Sequence, residues 1–469
     1  MTPSMTHYPL VSHRSADAAV AWQHGKRISV RRFLEDVRRL AAALPVGSNM
    51  LNACSDRYHF TVGLGAALLA RKISLLPPTH TPEMMRQLRT MAPDVFCLFD
   101  APHEIDMPGF AYQDAFARTT PGADLSTPID LPSLPDNQPV ADVFTSGSTG
   151  QPQVHRKTWG SLVQSARAEA QRLGFGDDNP CNIVGTVPPQ HMYGFESTLL
   201  MALHSGGAIH AGQPFYPLDI ANAISCVPRP RMLVTTPVHL RVLLESGVAL
   251  APVDLVLSAT APMTQQLAQQ CETHFSAPLF EIYGATETGQ IASRRTAITP
   301  EWLLFPNVTL TQRDGRTWAG GGHVMFEMPM NDVLECLDIH RFLLHGRLAD
   351  RINIAGKSSS LAHLNHQLCS IEGVQDGAFF MPDDSDSDRV LRLMAFAVAP
   401  GMTQRALRSA LKTRIGSAFM PRPLVLLDAL PRNSTGKLPH DALQGLARAH
   451  LPHLPHLTQP DDKGSVDEA

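Results

Sequence analysis

The chain has 469 residues, 43% of them hydrophobic, which is enough apolar material for two or more packed units at the usual ~100–200 residues each. Its 39 Lys and Arg against 43 Asp and Glu leave a formal charge of −4, so no general electrostatic footprint favours nucleic acid or anionic lipid. Seven cysteines are scattered with no CxxC pair, which excludes a disulfide-stapled scaffold or zinc knuckle and predicts buried thiols in a reducing cytosol.

The opening MTPSMTHYPL lacks the basic and apolar regions of a signal peptide, and the longest apolar run, around Val62 to Ala70, is too short to span a membrane. A cytoplasmic location is expected. From Val30 to Leu44 the apolar residues Phe33, Val37, Leu40, Ala41 and Leu44 recur at helical spacing. Short apolar segments at Asn182–Val187, Met232–Thr235, Asp254–Ser258 and Leu279–Tyr283 predict buried strands, and strands alternating with helices predict α/β layers. The proline-rich stretch Thr120 to Pro139 predicts an irregular connector. After Gly346 the texture changes. Strand patterns at Gly377–Phe380, Leu391–Val398 and Pro423–Leu427, with an amphipathic helix at Thr403–Ile415, predict a small α+β unit. The expected division is 1–346, 347–450 and a mobile, disordered tail at 451–469, whose spaced histidines are interrupted by proline.

The strand pattern Val140–Phe144 runs straight into Thr145, Ser146, Gly147, Ser148, Thr149 and Gly150, with a possible return strand at Gln153–Lys157 and a helix from Thr158. Glycines let backbone N–H groups approach an anion, and four hydroxyls donate to phosphate oxygens. No Gly-Lys-Ser/Thr follows, so this is not a Walker loop; alone it reads equally as a surface turn.

TSGSTGQP resembles the phosphate loop of the adenylate-forming superfamily, which includes acyl- and aryl-coenzyme A synthetases, peptide-synthetase adenylation domains and luciferases. Further segments resemble that superfamily's motifs in the same order: PPQHMYGF at 188–195, SATAP at 258–262, EIYGATETG at 281–289, GRLADRINIAG at 346–356 and LPRNSTGK at 430–437. The resemblance spans about Val30 to Leu443. It implies a large amino-terminal α/β domain of layered subdomains, with a small mobile α+β lid domain carrying a catalytic lysine. It also implies ATP and Mg2+, and a carboxylic acid converted first to an acyl-adenylate and then to a thioester. Such chemistry concentrates negative charge at phosphorus, which metal, hydroxyl and ammonium groups offset.

By the same resemblance, Glu287 binds magnesium, Thr286 contacts the α-phosphate, and Tyr283 with Gly284 lies against adenine. Ser258, Ala259, Ala261 and Pro262 form the adenine-side turn. Asp332, fourteen residues before Gly346, takes the ribose hydroxyls, with Arg347 as a second ribose or phosphate contact. Lys437 bridges carboxylate and phosphate oxygens, a task suited to a compact ammonium. His191 either borders the acyl pocket or is a core histidine. Outside the motifs, Glu287 would pass for an exposed loop carboxylate, Asp332 for a turn former and Lys437 for a solvated lysine.

The chain also departs from the pattern. Gln153 stands where the phosphate loop usually carries lysine, leaving Arg156 or Lys157 to supply that charge, and Ala349 replaces the first hinge acid while Asp350 remains. NACSDRYHF at 52–60, LLARKISLLPP at 68–78, Gln153 and Lys157 resemble the ligases of bacterial aryl-polyene and related yellow-pigment pathways. That resemblance implies a hydroxybenzoate-like acid loaded onto the phosphopantetheine thiol of an acyl carrier protein. A synthetase using free coenzyme A, including one for medium-chain fatty acids, and a non-catalytic nucleotide or carrier binder are the alternatives. An acidic carrier requires a basic patch, for which Arg405, Arg408, Lys412, Arg414, Arg422 and Arg432 are candidates; an ordinary solvated helix face is the other reading.

Overall fold

The structure, a computed structural model, describes residues 6–117, 130–146, 152–347, 351–354, 357–382, 393–433 and 436–450. By contacts the chain divides into two units, Met1–Ala349 with Ser434–Lys437, and Asp350–Asn433 with Leu438–Ala469. The tail from 451 lies outside the described residues.

The large unit holds two main sheets. The first has six strands, and its edge is a hairpin of β1 (Pro139–Ser146) and β2 (Pro152–Thr158), antiparallel to each other. Beyond β1 the sheet is parallel through Ile73–Leu76, Asn49–Asn52, Phe96–Phe99 and Gly109–Ala111. Helix α1 (Trp159–Leu173) starts where β2 stops, at Thr158, and ends on Gly174 in the left-handed region.

The second sheet has eleven strands. Its centre is parallel and includes β3 (Asn182–Gly185), β4 (Arg231–Thr235), β5 (Leu255–Ser258) and β6 (Leu279–Ala285), flanked by Ala208–His210 and Ala19–Gln23. Strands covered on both faces read as near-continuous apolar runs, as in LVLS, whose four residues are all buried. Beyond β6 the sheet turns antiparallel through β7 (Gly289–Arg294) and Trp302–Leu304; it continues through the later of the next two strands, β9 (Arg341–Arg347), and ends on the earlier, β8 (Asp332–Cys336), at the far edge.

Helix Val30–Ala43 buries Phe33, Val37 and Leu40, and the Ser29 side chain caps it by accepting the Arg32 N–H. The apolar run at Val62 belongs to helix Arg57–Leu69, which is buried on nearly every side. Among the described residues no helix is long and apolar enough to cross a membrane.

Two expectations need correcting. Part of the proline-rich connector is regular, because Ser133–Pro135 pairs antiparallel with His7–Pro9; positions 120–129 lie outside the described residues. Local patterning does not register a pairing between segments so far apart. The thiols are not uniformly buried: Cys54, Cys97, Cys181 and Cys271 are, whereas Cys226 and Cys336 are exposed.

The small unit is a three-stranded sheet, with Asp376–Phe380 antiparallel to Met394–Val398, which runs parallel to Leu424–Leu426. Met394–Val398 is buried throughout, and two apolar clusters cover the sheet, one containing Phe379, Leu407 and Leu411, the other Phe380, Phe396 and Ala447.

Candidate active site

The loops at the carboxyl ends of the parallel strands carry most of the sequence-predicted residues, the region where open α/β sheets hold ligands. Strand β5 ends at Ser258, whose buried hydroxyl has no hydrogen-bond partner among the described residues. The following turn puts Thr260 at φ +79, a conformation that costs a β-branched residue about 1–3 kcal/mol and that clusters at functional turns. Ala259 is buried, Ala261 half-buried and Pro262 exposed. After β4, Thr236 caps helix Pro237–Ser246 by accepting the His239 N–H. Gly436 packs into the same place: a Cβ there would lie 3.3 Å from Val238 and 3.7 Å from the hydroxyls of Thr236 and Thr260. The neighbouring Lys437 is exposed.

Strand β6 leads into the tight turn Ala285–Gly289. A Cβ at Gly284 would fall 2.3 Å from the Gly289 carbonyl oxygen, so glycine is required for the turn to close. Thr286 and Glu287 sit half-exposed at its tip. Before the turn, buried Tyr283 donates its hydroxyl to Asp332 Oδ2 at 2.6 Å, and its ring packs beside Trp302 and Phe342. Asp332 stands opposite Arg347 in the β8–β9 register.

On the β1–β2 hairpin, Thr145 faces Gln153 across the ladder and its hydroxyl lies 3.0 Å from His155 Nε2. Ser146 pairs with Pro152 where the connecting loop leaves; Gly147, Ser148, Thr149 and Gly150 lie outside the described residues. The hairpin separates the two candidate cations. Arg156 is engaged by Asp142 through two bonds of 2.8 Å, whereas Lys157 points inward and donates to the Glu287 backbone carbonyl at 3.0 Å. Burial pulls the Lys157 pKa down from its ordinary value, opposed by Glu196 and Glu287 nearby.

His191 caps a short helix, its Nδ1 accepting the Tyr193 N–H at 3.3 Å. Burial, aided by the Lys437 charge, pushes its pKa down to about 4, so the ring is neutral at physiological pH. The chain then enters a π-helical turn at Phe195–Leu200, a distortion frequent at functional sites.

Sequence reasoning missed two buried acids there. Glu196 accepts the Ser165 hydroxyl at 2.9 Å, and burial raises its pKa to about 7. Glu169 on α1 accepts from the Gln290 amide at 2.9 Å, and burial raises it to about 8. The available signal was an acid set at core spacing in each helix, Glu169 between Ala166 and Leu173 and Glu196 directly after Phe195.

The structure thus brings together Tyr283 with Asp332, the hairpin with the Thr286–Glu287 turn, and His191 with Lys437. Among the described residues no cluster of three or more His, Cys, Asp or Glu could hold a metal by itself.

A family profile described as AMP-binding enzyme matches residues 11–311. The 4-coumarate–CoA ligase of Rhodobacter capsulatus is 28% identical over 297 residues, covering 62% of this chain and 73% of that protein. The 3-hydroxybenzoate–CoA/4-hydroxybenzoate–CoA ligase of Thauera aromatica is 23% identical over 365 residues, 66% of each. Among solved structures, o-succinylbenzoate CoA synthetase from Bacillus subtilis, in complex with its acyl-adenylate intermediate, aligns with a TM-score of 0.78 at 18% identity, covering 94% of this chain and 99% of that one. A benzoate CoA ligase from Burkholderia xenovorans aligns at 0.74 with 17% identity over 92% and 97%. At these identities the structural likenesses establish the adenylate-forming fold.

Proposed function

Because the chain belongs to the AMP-binding enzyme family, we propose that it is an ATP-dependent acid–thiol ligase. It adenylates a hydroxybenzoate-like aryl acid, releasing pyrophosphate, and passes the acyl group to the phosphopantetheine thiol of an acyl carrier protein. The observation that carries this reading is the Thr286–Glu287 turn, tied to the phosphate hairpin by Lys157 and preceded by the Tyr283–Asp332 bond.

In this reading the Tyr283 ring, Gly284 and the Ser258–Pro262 turn receive adenine, and Asp332, oriented by the Tyr283 hydroxyl, takes the ribose with Arg347. Thr286 and the hydroxyls and amides from Thr145 to Gly150 hold phosphate oxygens, and Lys437 draws the carboxylate toward the α-phosphate. A half-exposed carboxylate suits magnesium, which keeps much of its water and takes one or two protein carboxylates together with substrate phosphates. Glu287 is that ligand; magnesium supplies charge neutralisation of the phosphates. Neutral His191 borders the acyl pocket with buried Met192 and Phe195, an apolar lining that favours a compact aromatic acid. The relatives named for coumarate and hydroxybenzoate support the same acid class.

The carrier reading rests on the small unit. Arg405, Arg408 and Lys412 recur on helix Gln404–Lys412, Arg414 and Arg422 follow, and no Asp or Glu occurs from 389 to 427. Arg432 leaves the patch, because Asp376 binds it through two hydrogen bonds. A face of one sign steers an acidic partner.

Acid-dependent ATP–pyrophosphate exchange across benzoates, cinnamates and fatty acids tests the adenylation. Thioester formation is then compared between free coenzyme A and a phosphopantetheinylated carrier. The triple change Arg405→Glu, Arg408→Glu, Lys412→Glu is expected to slow carrier loading about tenfold or more without affecting exchange. Equal loading of the carrier by this variant, or product with coenzyme A alone, overturns the carrier assignment.

A further inference from the structure

The missing lysine at position 153 has its counterpart beneath the metal-binding turn rather than beside the phosphate loop. We propose that Lys157 is a positioning residue: over buried Glu196, its ammonium fastens the Glu287 carbonyl and so fixes where the Glu287 carboxylate points. This rests on the ligase reading only for what the turn binds.

Successive strand residues face opposite sides, which sends Arg156 to Asp142 on the neighbouring strand and Lys157 into the interior. There Lys157 is 7% exposed and its ammonium reaches the Glu287 carbonyl oxygen at 3.0 Å. Glu196, 2% exposed, lies under the other end of the same turn: a Cβ on Gly289 would come within 2.9 Å of its Oε1. Ser165 holds that carboxylate from the helix side. The turn therefore has Lys157 bonded at Glu287 and Glu196 packed under Gly289, two buried groups whose charges act on each other.

An ammonium buried this deeply does not meet phosphate in solvent. What it controls is the backbone of the residue whose side chain takes the metal. Groups that orient a metal ligand without touching the metal commonly set its affinity by about 10–100-fold. A lysine on the phosphate loop would act on the nucleotide directly, so the two placements differ in what their loss disturbs.

The test compares K157R with the double variant K157M/E196Q, which removes both partners together and leaves no lone buried charge. Calorimetric titration of ATP is run in EDTA and again with Mg2+, with melting of the unliganded protein as the folding control. For the double variant, ATP affinity in EDTA stays within about twofold of the parent while the Mg2+ needed for half-maximal tightening rises about tenfold or more. K157R, which keeps the charge but alters the reach, shifts the Mg2+ requirement the same way by less. An unchanged Mg2+ requirement in a folded variant overturns the proposal. So does an equal loss of ATP affinity in EDTA, which would make Lys157 a phosphate contact. Binding is read without turnover, so a silent exchange assay counts against the ligase reading alone.

Discussion

Lys437 is exposed, beside a glycine that packs against Thr236 and Thr260, so it is held at the site by its loop rather than by burial. Lys437→Ala is expected to lower acid-dependent pyrophosphate exchange about 100-fold or more with little change in melting temperature, measured by exchange kinetics and calorimetry. Full exchange in that variant would remove the lysine from the mechanism. Tyr283→Phe deletes the 2.6 Å bond to Asp332 and should raise the KM for ATP by about tenfold, with a smaller effect on kcat, because the aspartate loses the donor that orients it. Thr260 stores backbone strain at φ +79, so Thr260→Gly should stabilise the fold by about 1 kcal/mol while weakening ATP binding. Tyr283, Asp332 and Lys437 are singled out by motif order alone, and Thr260 is not among the residues singled out. A threonine, a tyrosine and a surface lysine have nothing in composition to mark them, and the Tyr283–Asp332 and Lys157–Glu287 contacts join residues 49 and 130 positions apart.

The central strands could be read directly because both their faces are covered: Met232–Thr235 and Leu255–Ser258 are apolar or small throughout, and their observed ends differ from expectation by about one residue. The helix from Val30 was equally legible by its period, while its serine cap is seen only in the structure. Pairing was not. That β7, β8 and β9 extend the parallel sheet antiparallel is decided by turns and tertiary packing that no window of sequence contains. The buried acids were missed because hydrogen-bond partners from three elements make them tolerable. For Glu169 burial, which outweighs those hydrogen bonds, has a consequence in pH. Its folded pKa of about 8 exceeds the ordinary glutamate value of 4.5, so between those values the folded chain holds a proton that the unfolded chain has released. Stability contributed by this group is present below the lower value and is lost as pH rises through the upper one. Melting temperature should therefore fall from pH 5 to 9, and Glu169→Gln should flatten the fall; parallel curves would show that another group is responsible.

At the scale of the molecule, each unit has its own apolar clusters, and the small unit's sheet is covered on its own account. Residues 350–469 expressed alone should unfold cooperatively in calorimetry. A chain ending at Ala349 should bind ATP yet lose exchange, since Lys437 is absent from it. The central claim is that this chain makes an acyl-adenylate. The direct measurement is mass spectrometry of the protein incubated with ATP, magnesium and 4-hydroxybenzoate without any thiol, with cinnamates and fatty acids in parallel. The account predicts enzyme-bound 4-hydroxybenzoyl-AMP and an equal amount of pyrophosphate. Release of ADP and phosphate, or unaltered ATP with every acid despite intact ATP binding, would contradict it.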